Sequence, residues 1–426
     1  MPFSLSFYHL AKAAVPLGLL LALSQASTSA SPKFKVLHAF GLGYDGGGLY
    51  SSLILDARGD LYSTTWGGGS YGYGTVFELL PLAHKGWKER VLHSFDWRTD
   101  GNGATGPLAL DDGGNLYGTT SQNGPNSQGA AFELSPSSKG RWIETRLYGF
   151  GARAHDGAGP LSGLLSDGTG NFYGTTVGGG DYEGGTVFEL TPVSGGWQEN
   201  VLFSFCHDIN PCTDGDDVRA GLIWDSGGNL YGTTALGGTG KGGDWGTAYE
   251  LKHLAGGKWK HIVLHSFPAN DRDGKLVYGG LVIDKSGNLY GMTLQGGGAG
   301  CGGPGCGTVY KLTLTNRGWK ETVLYNFSNP TKGAGPTSSL ALDAFGNLWG
   351  TAGGGTGQCN GGCGVVFKMT PLADGRWTYT LIHDFNGDDG AYPYASVIFD
   401  KNGNLYGTTE LGGGGHHVGV VFEITP

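Results

Sequence analysis

From residue 33 onward the chain alternates short apolar runs with glycine-rich polar stretches, and the alternation keeps a long period. The runs are four to seven residues of β-branched and aromatic type, bounded by glycine, proline or Asp-Gly, and nothing sustains a helical period. They predict short strands. One phrase, Asn-Leu-Tyr-Gly-Thr-Thr, stands whole at Asn115, Asn229 and Asn404, and carries Phe172 for Leu at Asn171. It varies at Asn288 (Met292 for the first Thr), at Asn347 (Trp349 and Ala352) and at Asp60 (Ser63 for Gly). The seven starts lie 55, 56, 58, 59, 59 and 57 residues apart. Three other phrases keep step: a preceding apolar run ending in Asp (Leu53 to Asp56), a following Thr-Val-Phe-Glu-Leu (Thr75 to Leu79), and Val-Leu-His-Ser-Phe (Val91 to Phe95), usually after a Trp.

Four strands in about 57 residues, repeated seven times, predict an all-β fold: a seven-bladed β-propeller with four antiparallel strands per blade. We letter the strands of each unit a to d in chain order. The expected single domain is 31–426, with blades near 49–95, 105–150, 160–205, 218–267, 276–327 and 335–385, and a last one from 393–426 plus 33–40. The phase at the ends supports this. The run Phe34 to Phe40 is a d strand with no a, b or c before it, and Val420 to Ile424 is a c strand with no d after it. The N-terminal strand is therefore expected to close the last blade and remove an exposed edge.

Residues 1–30 differ from the rest. Lys12, the apolar stretch Ala13 to Leu23 and the small polar run Ser24 to Ala30 have the layout of a secretory signal. Thr28-Ser29-Ala30 or Ser24-Gln25-Ala26 would be the cleavage box, and no later segment is long and apolar enough to span a bilayer. The expected product is secreted and monomeric. Glycine makes up 85 of 426 residues without the strict period of collagen, and a 12% aromatic content opposes disorder. A net charge of −9 with no basic run argues against nucleic acid or an anionic membrane as a partner.

The segments Asn171-Phe-Tyr-Gly-Thr-Thr, Gly178-Gly-Gly and Gly185-Thr-Val-Phe-Glu-Leu-Thr-Pro192 resemble the tandem repeat of exported bacterial proteins named from Gloeobacter and Verrucomicrobia. The resemblance covers all seven units. It implies an exported repeat protein, often with a C-terminal surface anchor, and no established reaction. Ending at Thr425-Pro426, this chain is expected to depart from the anchored members in lacking such a tail.

With strand a at the channel, the a–b and c–d turns share one face, and the b–c and d–a loops form the other. Length varies mostly on this second, loop face, where binding is expected. Asp-Gly recurs in six of its d–a loops. Turn chemistry explains it, since Asp tolerates turn geometry and Gly supplies positive φ. The competing expectation is calcium, through Asp214, Asp216 and Asp217, although these clusters offer too few ligands. No other cofactor is expected. Strand-b Tyr and the Trp before strand d recur too regularly to be a site and read as packing, as does the strand-d slot of His38, His93, His265 and His383. Aromatic residues confined to single loops are the candidate ligand contacts: Trp66, Tyr71, Trp97, Tyr182, Trp245 and Tyr392, with Tyr73 and Tyr394 beside them. Their rings suit sugar faces, and covering loop glycines is the bland alternative.

Six cysteines form three close pairs, Cys206/Cys212, Cys301/Cys306 and Cys359/Cys363. Local disulfides are expected, each stabilising by about 2 kcal/mol. A four-cysteine zinc site from the last two pairs is the alternative. The function expected is a non-enzymatic module that binds a glycan or a surface protein. A polysaccharide hydrolase or lyase is the rival. It would need residues that break the repeat, and His155, Asp181, Glu183, His207, Asp208 and Asp244 are the candidates. An adhesion scaffold is the third possibility.

Overall fold

The computed structural model describes residues 32–425 except 42, 84–85, 209–211, 240–244, 269–272, 304 and 416–417. The secretory-signal expectation for 1–30 lies outside these. Seven four-stranded antiparallel sheets make up a seven-bladed β-propeller. Blade 1 shows the plan, with strands Ile54–Leu55, Leu61–Thr65, Thr75–Pro81 and Trp87–Ser94. In the last blade Lys33–Ala39 pairs antiparallel with Val420–Thr425, from Lys33 opposite Thr425 to Ala39 opposite Val420. The ring closes as the phase of the termini predicts.

The repeated phrase is explained by contacts. In strand b the glycine lies under the aromatic ring of strand c: a Cβ on Gly174 would come within 2.4 Å of Phe188. The first Thr of the phrase reaches the next blade. Thr64, Thr119, Thr175, Thr233, Thr351 and Thr408 donate to the carbonyls of Ala104, Ser162, Ala220, Gly279, Ala395 and Ser51. Only blade 5, with Met292, lacks this hydroxyl. Tyr in strand b meets the Trp of the following blade, as in Tyr62 with Trp142 and Tyr173 with Trp259. Those residues are packing contacts between blades.

The Asp of each Asp-Gly turns inward. Asp100 accepts from Asp96 N and bonds His93 Nε2 at 2.9 Å, while Asp389 accepts from Asn386 N and bonds His383 Nε2 at 3.0 Å. The strand-d slot read as plain packing therefore also ties the loop to its own blade at His93, Tyr148 and His383. Blade 6 has Lys332-Gly333 instead of Asp-Gly, and there a short 3-10 turn, Pro330–Lys332, takes its place. Cys206–Cys212, Cys301–Cys306 and Cys359–Cys363 are disulfides with Cα atoms 4.4–5.4 Å apart. This overturns the four-cysteine zinc alternative, because every one of those sulfurs is paired. Among the described residues no helix is long and apolar enough to cross a membrane.

Candidate functional site

Strand a contributes only two paired residues per blade, so the segment just before it lines the axis. Seven residues, each four positions before strand a, ring a narrow channel of about 120 Å³: Tyr50, Thr105, Leu161, Arg219, Tyr278, Thr337 and Tyr394. This column does not repeat. Blades 7 and 1 supply Tyr394 and Tyr50, and blades 4 and 5 supply Arg219 and Tyr278. The Arg219 guanidinium lies 4.8 Å from the Tyr278 ring and bonds Asp217 at 2.8 Å.

Around Tyr50 the rings form a connected tract. Tyr392 and Tyr394 lie 6.2 Å apart at 11°, Tyr394 and Tyr50 lie 6.0 Å apart at 3°, and Trp66 meets Tyr50 edge-on at 5.9 Å. The Tyr50 hydroxyl donates to the Glu410 carboxylate through a short bond. Burial, and then Glu410 itself, push the Tyr50 hydroxyl pKa up, so it keeps its proton and its role as donor. Glu410 and Trp66 occupy the same place after strand b in neighbouring blades. Elsewhere that place holds Ser121, Val177, Ala235, Leu294 and Gly353. The tract joins two half-exposed aromatic rings, Trp66 at 39% and Tyr394 at 37%, to one carboxylate.

A second cleft, about 710 Å³, opens between the outer strands of blades 3 and 4, Gly196–Ser204 and Lys258–Ser266. Four of the repeat-breaking candidates, His155, Asp181, His207 and Asp208, meet there with the loop aromatic Tyr182. His155 Nδ1 lies 3.0 Å from Asp181, and His207 Nδ1 lies 3.2 Å from Asp208. Tyr182 touches the His207 ring edge-on at 5.1 Å. His155, Glu183 and Cys206 all adopt positive φ, at 66°, 63° and 69°, so this part of the loop face carries backbone strain. On the cleft wall His261 stacks on Phe203 at 4.2 Å, and burial lowers its pKa to about 4.

The remaining candidates lie apart. Trp97 meets Tyr73 at 6.3 Å on the rim of blade 1, under Arg98, with Tyr71 exposed nearby. Trp245 packs against the core between blades 4 and 5, with Lys275 over its ring at 5.3 Å. Asp244 lies outside the described residues. The calcium candidates have other partners: Asp214 accepts from the backbone of Cys206 and His207, Asp217 pairs with Arg219, and Asp216 accepts from Asp217 N. Among the described residues no three ligating side chains converge on one point that could hold a metal ion.

A family model described as the Gloeobacter/Verrucomicrobia repeat matches residues 22–244, 144–303 and 220–426. The chain belongs to that family. No curated protein sequence matches it. Solved structures similar to this family member include a polysaccharide lyase of family PL25, an ulvan lyase, at 10% identity and TM-score 0.54, covering 91% of this chain and 94% of that one. An ancestral GH74 enzyme is similar at 12% identity and TM-score 0.50, over 82% of this chain and 46% of that one. A luciferin-regenerating enzyme is similar at 14% identity and TM-score 0.43, over 76% of this chain and 92% of that one. At such identities the likeness is one of fold.

Sequence reasoning missed Tyr50, Tyr278 and Glu410. Tyr50 and Tyr278 look like ordinary members of an apolar run, and Glu410 like a loop acid. Alignment of the seven units column by column would have flagged all three, because their columns hold Thr, Leu, Arg, Ser or Gly in other blades.

Proposed function

We propose that this family member is an exported glycan-binding propeller whose ligand lies across the channel mouth on the tract Tyr392, Tyr394, Tyr50 and Trp66. The observation that carries this reading is the contact between those four rings, at positions where the repeat is broken. Aromatic faces match the apolar faces of sugar rings while their edges stay wet. Glu410 and Arg219 supply an acceptor and a donor for sugar hydroxyls. The secretory-type leader and three local disulfides fit an oxidising, external setting. A fold neighbour that is a polysaccharide lyase agrees in ligand class.

A second reading, glycan cleavage, is favoured by the convergence of two His–Asp pairs and Tyr182 in one cleft. Imidazoles are suited to accept and donate protons near neutral pH. One experiment tests both. The chain from Ser31 is incubated with a panel of plant and microbial polysaccharides, and retained protein and released sugar ends are read from the same tubes. Retention weakened by Trp66→Ala or Tyr50→Ala, without new ends, is the expected outcome. New ends that disappear with His155→Ala or His207→Ala would move the assignment to the cleft. The absence of both signals would overturn the glycan reading.

A further inference from the structure

Most departures from the repeat lie on the loop face, but one group of them meets on the opposite face. Strand b begins where strand c ends, so in blade 6 Leu348 pairs with Met369 and the a–b turn stands beside the c–d hairpin. Between the a–b turns of blades 6 and 7 a cleft of about 590 Å³ opens, a size usual for small-molecule sites. Leu342, Phe345, Trp349 and Phe399 form its apolar walls. Trp349 meets Phe399 edge-on at 5.7 Å, and Phe345 stands 88% exposed at the tip of its turn.

Three residues of the cleft depart from the common pattern. At the place of Phe345 the other turns carry Arg58, Gly113, Thr169, Gly227, Ser286 and Asn402, and at the place of Trp349 the other blades carry Tyr. The third is Lys368, which pairs across the sheet with Trp349. Blades 1 to 4 and 7 hold Glu there, and in blades 1, 3 and 7 the strand-b Tyr donates to it. Blade 5, with Lys311, shares the exchange. Among the described residues the half-buried Lys368 ammonium has no hydrogen-bond or ion-pair partner and lies 4.9 Å from the Trp349 ring. Lys401, exposed on the rim, has none either.

Two carboxylates also line the cleft, and their charges balance those of the two lysines. Hydrogen bonding closes them to a ligand. Asp343 Oδ1 accepts from the N–H of Phe345 and Asn347, and its Oδ2 from the Asn347 amide and the Trp349 indole. Asp400 Oδ1 accepts from the N–H of Asn402 and Asn404, and its Oδ2 from both their amides and the Tyr406 hydroxyl. Each oxygen holds at least two donors, which fills the roughly four lone-pair sites of a carboxylate. A cationic ligand would find neither acid open. The ionic groups left to meet a ligand are the two ammonium donors.

We propose that this cleft binds a small aromatic carboxylate. Its ring lies against Phe345 and the Trp349–Phe399 pair, in the offset and edge-to-face contacts that aromatic rings favour. Its carboxylate takes charge-assisted hydrogen bonds from Lys368 and Lys401. The site is separate from the aromatic tract at the channel mouth and does not depend on it.

The test is calorimetric titration of the folded chain with 2-naphthoate and with 2-naphthamide, which has the same rings and no charge. The naphthoate is expected to bind, and the amide to bind about tenfold more weakly or worse. Lys368→Gln should weaken the naphthoate about tenfold and leave the amide unchanged, while Lys368→Arg keeps most of the affinity. Phe345→Ala should weaken both ligands several-fold. That ring is almost wholly exposed, so its removal spares the fold, and an unchanged melting temperature confirms this. Trp66→Ala should change neither titration, so this proposal and the glycan reading fail separately. No binding of the naphthoate at millimolar concentration overturns the proposal. Equal affinity for the two ligands does so as well, because the ammonium groups then play no part. Naphthoate binding that survives both Lys368→Gln and Phe345→Ala, or is lost with Trp66→Ala, places the ligand elsewhere and also overturns it.

Discussion

Thr175 Oγ1 donates to the Ala220 carbonyl at 2.9 Å, and both groups are buried between blades 3 and 4. Thr175→Val keeps the shape and leaves that carbonyl without its partner. A loss of about 1–2 kcal/mol is expected, measured by denaturant unfolding. Gly174 beside it answers to a different constraint, since an added Cβ would lie 2.4 Å from the Phe188 ring. Gly174→Ala should cost about 1–3 kcal/mol through overpacking. The phrase that contains both residues was plain in the sequence, and it predicted the fold. Its reasons were not plain, because the acceptor of Thr175 lies 45 residues further along the chain. Tyr50 and Glu410 are the same problem at a candidate site. Their sequence separation is 360 residues, and only ring closure makes them neighbours.

At the scale of elements, the outer strands of successive blades meet in a seam of recurring partners. The strand-d slot of one blade faces the residue two after the Trp of the next, or its equivalent in the closing strand, where Pro32 stands for the Trp: Tyr325 stacks on Tyr379 at 4.4 Å, and His383 on Phe34 at 3.8 Å. Where the pair is His265 and Glu321, the nearest atoms are 3.8 Å apart. Burial lifts the Glu321 pKa to about 7, with the charge of Asp273 adding to the effect, and burial lowers that of His265. Ionising Glu321 thus costs more in the fold than in the unfolded chain. The stability present below its ordinary value of 4.5 is lost as pH rises through about 7. Glu321→Gln should flatten that decline, so its melting temperature should change less than the native one between about pH 5 and pH 8. Identical profiles would contradict this. The sequence showed the His slot but not its partner. Each pair is set by the packing of two blades, and no periodicity within one blade reports it.

Seven near-identical blades give a rigid frame, and the departures from the repeat gather on the loop face, at the channel mouth and between blades 3 and 4. Fold and closure were legible because the strand phrases and their phase carry them locally. Half of the candidate site was legible as well: Trp66, Tyr392, His155 and His207 stand out as unrepeated residues. The grouping was not, since which loops become neighbours depends on the blade geometry. Trp245 and Trp66 look alike in sequence, yet one packs into the core and the other joins the tract. The most direct test of the central claim is calorimetric titration of the polysaccharide that retains the protein best. Native protein should be compared with Tyr50→Ala, Trp66→Ala and Trp97→Ala. Substitution in the tract is expected to weaken binding about tenfold or more, each lost stacking contact being worth about 1 kcal/mol or above, while Trp97→Ala changes it little. Equal affinity in all four proteins would contradict a ligand laid across the channel mouth.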